Sequence, residues 1–312
     1  MNVKFNKAER KQSKASIVIQ GLSGTGKTGL ALAIANALCS WDKLFFLDTE
    51  SRSADLFEGI TLSTGDSVEG FNKFDLTESD GFAPSNYLEV REAAIENGAD
   101  VFIQDSTTQS WTGPGGVLDI VSHVKLDTNN KSMSVWNDDR VTSEKNILNS
   151  SQMWRDPRCH VISTVRMKEK VGFTEDNKVV KLGEQPIQSD QVKYEPDLII
   201  TMVKAGTPQG DAPVGVIEKS RYAILRVGQE YTFTKELCSQ IGAYLNEGTS
   251  IEELEARQKN DLVVSITDML KSDATLQMQL KMYKKTHKID DATKLADMEL
   301  PTLQSLYKLL YK

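Results

Sequence analysis

The sequence predicts an α/β fold with a mainly parallel central sheet, followed by a small all-helical C-terminal domain. Three observations lead there. Short apolar runs rich in β-branched and aromatic residues, SIVI (16–19), LFFLD (44–48), VFIQD (101–105), HVISTV (160–165) and DLIITMV (197–203), read as strands. Several are apolar at successive positions, the pattern of strands buried on both faces, and helical patterns at 28–39 and 85–97 lie between them. From about residue 229 the strand signal gives way to consecutive helical segments.

Composition narrows the class further. A chain of 312 residues can bury a full core and suggests one large and one smaller domain. It is 39% hydrophobic and 26% charged, with no apolar run near the roughly 18 residues that span a bilayer, so no membrane partner is expected. The basic start, MNVKFNKAERKQSKAS, lacks the apolar core of a signal peptide, and a cytoplasmic protein is expected. Cys39, Cys159 and Cys238 are odd in number and far apart, which fits neither a disulfide framework nor a CxxC metal pattern. His123, His160 and His287 are isolated, so no structural zinc is expected. The net charge of -7 argues against a uniformly basic nucleic-acid coat while leaving room for a local basic groove.

Between the strands, 106–136 contains TGPGG and DTNNKSMS and reads as largely loop with one short helix. A second irregular stretch covers 166–195, followed by a hairpin with VGVIEK (214–219) and RYAILRV (221–227) as arms. The segments TKELCSQIGAYLNEG, SIEELEARQ, DLVVSITDMLKS, TLQMQLKMYKKTHK and PTLQSLYKLLYK read as helices, Ser250 and Glu253 forming a capping box. The resulting limits are an N-terminal arm (1–14), an α/β domain (15–228) and a helical domain (229–312).

The chemistry begins at GLSGTGKT, Gly21 to Thr28, which matches GxxxxGK[ST] directly after a strand and before a helix. Gly21, Ser23, Gly24, Thr25, Gly26, Lys27, Thr28 and Gly29 form an anion cradle of backbone N–H groups at a helix N-terminus. Lys27 reaches β- and γ-phosphates and the Thr28 hydroxyl ligates Mg2+, so ATP with magnesium is the expected ligand. Such a loop needs an acidic residue ending a neighbouring strand to hold the magnesium through water, and VFIQDS supplies Asp105. Ser106 beside it either orients a water or caps the strand. LFFLDTE ends in Asp48, Thr49 and Glu50 at the sheet edge where ligands bind. Glu50 is the candidate to polarise the attacking water; solvated loop carboxylates or helix caps are the alternative for it and Asp48.

The order of this loop, LFFLDTE, VFIQDS and VISTVR resembles the RecA-like branch of P-loop ATPases. That resemblance implies a RecA-like P-loop NTPase core, a water-activating role for Glu50, and a γ-phosphate sensor at Thr164. Trp136, HVISTVRMKEK, KLGEQPIQSDQVKYEPDLI and EKSRY look like the phage-encoded AAA-type nucleotide-binding proteins related to RecA-like single-strand-annealing ATPases. The likeness covers about 15–227, and Pro196 in YEPD departs from it. KSRYA is similar to the KxRxG element that RadA- and KaiC-type ATPases project into a neighbour's nucleotide, which implies a trans-acting Lys219 and Arg221; Ala223 replaces the usual glycine. The family further implies a homo-oligomer, ring or filament, in the host cytoplasm. It also implies single-stranded DNA at the loops 106–136 and 166–195, and DNA-stimulated ATP hydrolysis in recombination, annealing or replication.

Residues 155–181 hold seven basic and four acidic residues, and Arg166, Lys168 and Lys170 alternate as phosphate-facing cations would, with Phe173 and Trp111 as stacking platforms. A solvated basic loop with ordinary core aromatics is the competing reading. Lys281, Lys284, Lys285 and Lys288 form a basic stripe on a C-terminal helix, either a solvated face or part of a module for DNA or for a replication or single-strand-binding protein. Two other functions were weighed. One is a nucleotide-gated assembly switch with slow turnover; the other, a small-molecule kinase, is disfavoured by the lack of an arginine-rich lid.

Overall fold

In the computed structural model, residues 7–124, 135–173, 179–203 and 214–311 are described, and DTNNKSMS (127–134) lies outside them. Contacts divide the chain into two units, Lys14–Leu245 and Met1–Ser13 with Asn246–Lys312.

In the first unit the strands are β1 (Ser16–Gly21), β2 (Leu44–Asp48), β3 (Asn72–Asp75), β4 (Val101–Asp105), β5 (His160–Phe173), β6 (Val179–Pro186), β7 (Leu198–Val203), β8 (Val214–Ser220) and β9 (Glu230–Thr232). The sheet runs β3-β2-β4-β5-β1-β7-β8-β9, parallel from β3 to β7, with β6 paired to β5 alone. The α/β architecture with a mostly parallel sheet is therefore as the sequence indicates. Both faces are dry, because alternate residues of each run serve opposite cores. Ile17, Ile19, Phe46, Ile103 and Ile162 pack under α1 (Lys27–Leu38), whereas Val18, Leu47, Phe102 and Val161 join the core on the other side. That second core includes Tyr87 of α2 (Pro84–Glu96) and, past the short helices α3 (Thr108–Thr112) and α4 (Val117–His123), Leu148 of α5 (Asp139–Asn149) and Trp154 of α6 (Ser151–Trp154).

Four differences from the sequence reading have identifiable causes. The stretch 166–173 continues β5 and pairs with β6 as an antiparallel ribbon, where the sequence suggested an irregular segment. Its charged residues alternate as in a strand, but the apolar face that marks a buried strand is missing. RYAILRV does not form a hairpin arm: β8 ends at Ser220 and pairs with β7 on one side and β9 on the other. Tyr222 and Leu225 are buried at a spacing of three, Arg221 N donates to Asp197 O (2.8 Å) and Gly228 N to Ile217 O (2.8 Å), which folds the segment into turns. SIEELEARQ and DLVVSITDMLKS are one helix, α8 (Ile251–Ser272), below. Finally, the unit boundary follows Leu245, not residue 228. Phe233 and, on α7 (Lys235–Leu245), Cys238, Ile241 and Leu245 belong to the sheet core. A Cβ on Gly242 would meet Ala37 O at 2.8 Å, so this glycine permits the close approach of α7 to α1.

The second unit is helical: α8, α9 (Ala274–Thr286) and α10 (Leu300–Leu310) enclose Ile266, Tyr283, Met298, Leu303, Leu306 and Leu310. Ser250 Oγ caps α8 by accepting from Glu253 N at 3.1 Å. Residues of the N-terminal arm join this unit, Thr249 N donating to Arg10 O (3.0 Å) and Gln12 N to Thr249 O (3.0 Å). Lys284 drops out of the basic stripe: it is buried, and its ammonium donates to Asp291 O (2.8 Å) and Thr293 O (2.7 Å). No helix among the described residues is long and apolar enough to cross a membrane.

His160 opens β5 and is 6% exposed, its Nδ1 accepting from Ala15 N at 2.9 Å. Burial, helped by the Lys14 charge, lowers its pKa to about 3. The unfolded chain therefore takes up this proton near pH 6.5 while the fold refuses it, so stability falls as pH drops below 6.5. His160→Asn keeps an acceptor for Ala15 N without titrating. Urea unfolding between pH 7 and 5 should show the wild type losing up to about 1.4 kcal/mol per pH unit more than the variant. Parallel losses would contradict the assignment.

Candidate nucleotide site

β1 ends where its backbone must turn sharply. A Cβ on Gly21 would stand 2.7 Å from Thr25 Oγ1 and 3.0 Å from Met202 Cβ, and Gly24 and Gly26 have φ of +76° and +86°, which only glycine adopts without strain. The loop then enters α1 with Gly26 as N-cap and no capping side chain. The first N–H groups of α1 are thus left for a ligand, a fit for phosphate oxygens. Thr25 Oγ1 and Lys27 Nζ both donate to Leu22 O at 2.9 Å, closing the curl of the loop.

The loop forms one wall of a cleft of about 530 Å3. Ser23, Gly24, Gly26, Lys27, Thr28 and Gly29 line it, together with Glu50, Asp105 and Arg166. Strand register brings these together from distant sequence. Asp48 lies beside Asp105 across β2 and β4, Gln104 beside Ser163 across β4 and β5, and Gly21 beside Arg166 across β1 and β5.

Asp105 is the centre of the site. It is 1% exposed, Thr28 Oγ1 donates to its Oδ2 at 2.5 Å, and Thr164 Oγ1 donates to its Oδ1. Burial raises its pKa; the two hydroxyls oppose that, and the charges of Glu50 and Asp48 add to it. The same burial lowers the pKa of Lys27, which Asp105 and Glu50 partly restore. Among the described residues no cluster of three metal-ligating side chains exists. A divalent ion here would be held by Thr28 and Asp105, with phosphate oxygens and water completing its shell.

The structure separates three neighbouring carboxyl and hydroxyl candidates. Asp48 is a loop organiser: its oxygens accept from Glu50 N (2.6 Å) and Ala54 N (2.9 Å). Glu50 faces the cleft, and its Oε1 accepts from Arg166 Nε at 2.7 Å. Ser106 is fully buried, its backbone bonded to Thr49 Oγ1 and Tyr87 Oη, which is a structural position with no opening to a ligand.

Two expectations change. Thr164 is 0% exposed and sits behind Asp105, so it touches the carboxylate rather than the cleft; it is a positioning residue. Arg166 belongs to the cleft through Glu50, whereas Lys168 and Lys170 are exposed farther along the ribbon, opposite Gln185 and Gly183. Trp111 stacks on Trp136 with ring centroids 6.3 Å apart and packs against the core, the ordinary aromatic role. Phe173 ends β5, and its side chain is outside those described.

Lys219 and Arg221 lie away from the cleft. Register places Leu198 beside both Ile17 and Ser220, at the amino edge of the parallel strands, whereas the glycine loop leaves the carboxyl edge. Lys219 Nζ donates to the carbonyls of Lys193 (3.1 Å) and Tyr194 (2.6 Å), and Arg221 Nη1 pairs with Asp197 Oδ1 at 2.8 Å.

Sequence reasoning missed several contributors. Phe57, Met167 and Ile187 supply the apolar part of the cleft. Thr107, Thr108 and Gln188 fasten the ribbon just beyond Asp105: Arg166 N donates to Thr108 Oγ1 (2.9 Å) and Gln188 Nε2 to Thr107 O (2.8 Å). The Thr107-Thr108 pair was visible in the sequence; its bonding partners, some 60 to 80 residues away, were not.

Because burial disfavours the ionised Asp105, the folded state pays for this charge at neutral pH and recovers it as pH falls and the carboxyl protonates. Asp105→Asn keeps an oxygen and an amide for the two threonine hydroxyls. It should raise stability at pH 7 by about 0.5–2 kcal/mol. The gain should shrink as pH falls through the raised folded-state pKa and be gone below the unfolded carboxyl value of 3.8. Denaturant titrations at pH 7 and pH 4 check this, and an Asn variant less stable than wild type at pH 7 would refute it. No protein-family model matches the chain, and no curated protein matches it.

Proposed function

We propose that the chain is a magnesium-dependent RecA-like ATPase that acts on single-stranded DNA in phage recombination, annealing or replication, and that does so as a homo-oligomer in the host cytoplasm. The observation that carries this reading is the Thr28–Asp105–Thr164 arrangement beneath a glycine loop, with both roots of the projecting ribbon tied immediately after Asp105. In this reading Lys27 neutralises phosphate charge, and Thr28 and Asp105 hold the magnesium that offsets charge on the transferred phosphoryl group. Glu50 is placed to orient water. Thr164 holds Asp105, and Thr107 N and Oγ1 both donate to Thr164 O (3.0 and 2.9 Å), so displacement at Asp105 reaches the ribbon roots through a short bonded path.

The alternative, a nucleotide-gated assembly switch with slow turnover, is favoured by one contact. Arg166 Nε occupies Oε1 of the Glu50 carboxylate, the group that would otherwise be open to a water. The two readings merge if DNA on the ribbon draws Arg166 away, so the pair then sets the basal rate.

Glu50→Gln should reduce turnover at least about 100-fold, the lower end of a general-base contribution, with nucleotide binding retained. Arg166→Ala should raise the DNA-free rate several-fold and abolish stimulation by oligothymidylate. Steady-state phosphate release and nucleotide titration measure both, and a Glu50→Gln chain with normal turnover would end the assignment.

A second expectation concerns Lys219 and Arg221, which can reach a nucleotide only from another copy of the chain. Wild-type turnover per chain should then rise with protein concentration, and Arg221→Ala should lower the plateau at least about tenfold while leaving the dilute rate unaltered. An unchanged rate in a concentrated variant sample would remove the trans role.

A further inference from the structure

The second unit leaves part of its apolar surface uncovered. α9 and α10 bury Tyr283, Leu303, Leu306 and Leu310 between them, yet Met278, Met282, Leu309 and Tyr311 remain 70%, 68%, 44% and 49% exposed. Met282, Leu309 and Tyr311, with Tyr307 and Lys308, line a groove of about 840 Å3 between the two helices. Its aromatic residues pair with one another: Tyr307 stacks on Tyr311 (ring centroids 5.5 Å apart), and Tyr283 lies tilted against His287 (4.2 Å). A large apolar hollow on a small unit marks an interaction surface.

The charge pattern selects the occupant. No carboxylate lines the groove; Lys308 does, and the exposed Lys285 follows Met282 by three residues on the same helix. Methionine thioethers adapt to varied side-chain shapes, and tyrosines offer an apolar ring with a polar tip. A nucleic-acid strand would need a track of cations along its phosphates, whereas one lysine lines this hollow and most of its wall is apolar. We propose that the α9–α10 groove docks an acidic peptide segment of a partner protein, large apolar side chains entering the hollow while its carboxylates meet Lys308 and Lys285. The proposal rests on the helical unit alone and stands or falls apart from the ATPase reading.

The test uses the full chain and a fluorescein-labelled peptide in which glutamates alternate with leucine and phenylalanine, with two control peptides, one with lysines for the glutamates and one with serines for the apolar residues. Fluorescence anisotropy should show saturable binding of the acidic peptide and of neither control. Met282→Glu and Lys308→Glu should each weaken it about tenfold, with circular dichroism unchanged because both side chains are exposed. Absence of binding, or binding indifferent to both variants, would overturn the proposal. So would loss of oligothymidylate binding in Met282→Glu, which would assign the groove to nucleic acid. A smaller particle mass for that variant in light scattering would assign it to a second copy of the chain and equally refute it.

Discussion

Keeping a carboxylate at the floor of a cleft requires donors that replace its water, and for Asp105 these are the hydroxyls of Thr28 and Thr164. Each comes from a different strand or its extension, so the interaction exists only when β4, β5 and the β1–α1 turn are in one register. A slip of one residue in β5 would turn Thr164 to the opposite face and set Ser163 or the apolar Val165 against the buried charge. The dry packing on both sides of the sheet therefore serves the site: Ile162 under α1 and Val161 and Val165 on the other side lock β5 in place. Stability is given up at Asp105 to keep a carboxylate beside the helix N-terminus, and under the proposed function that is where a hard cation would be held.

The same strand that carries Thr164 leaves the core as one arm of the ribbon. Beyond Arg166 it continues for seven residues, about 23 Å of extended chain. A two-stranded ribbon is marginal by itself, and this one exposes Val171 and Leu182, so its stability is borrowed from its roots. Those roots are bonded to Thr107 and Thr108, next to the carboxylate. Because β5 is continuous from His160 to Phe173, the ribbon and the residues beside the cleft share one strand. Lys168 and Lys170, which lie beyond the ion-paired Arg166, are exposed, and under the proposed function they are the ribbon cations that would meet phosphates.

How far the sequence discloses this follows from which forces act locally. GLSGTGKT is legible because left-handed glycines, a preceding strand and a following helix are all consequences of adjacent residues. The core strands are legible for a similar reason, since burial on both faces leaves unbroken apolar runs. The ribbon is not: its residues face solvent and carry no hydrophobic period, and only pairing with β6 makes them a strand. β3 is hidden for the same cause, as NKFD is a short polar edge held by β2. RYAILRV misleads because its apolar residues serve a turn's packing, and TKELCSQIGAYL because a helix pattern does not say which core it joins. Glu50 was legible as a cleft carboxylate, but its partner Arg166, 116 positions away, was read as a DNA contact. Spacing within a segment shows which face a side chain takes, and register between segments decides what it meets.

Charge balance links the cleft to the far edge of the sheet. Of the cations lining the cleft, Lys27 faces the phosphate loop and Arg166 is paired with Glu50, so a triphosphate bound there would retain uncompensated negative charge even with magnesium. Transfer of the terminal phosphoryl group spreads that charge outward, where a further cation lowers the barrier. Lys219 and Arg221 cannot turn to this task within their own chain, because β1 and β7 separate the two edges. Arg221 is 57% exposed on Asp197, a carboxylate it shares with Arg155. If Arg221 swings to a neighbour's phosphates, Asp197 is not stranded, because Arg155 remains on it. That sharing would lower the cost of exchanging an intrachain pair for an intersubunit one, and it is the physical support for proposing that another copy of this chain completes the site.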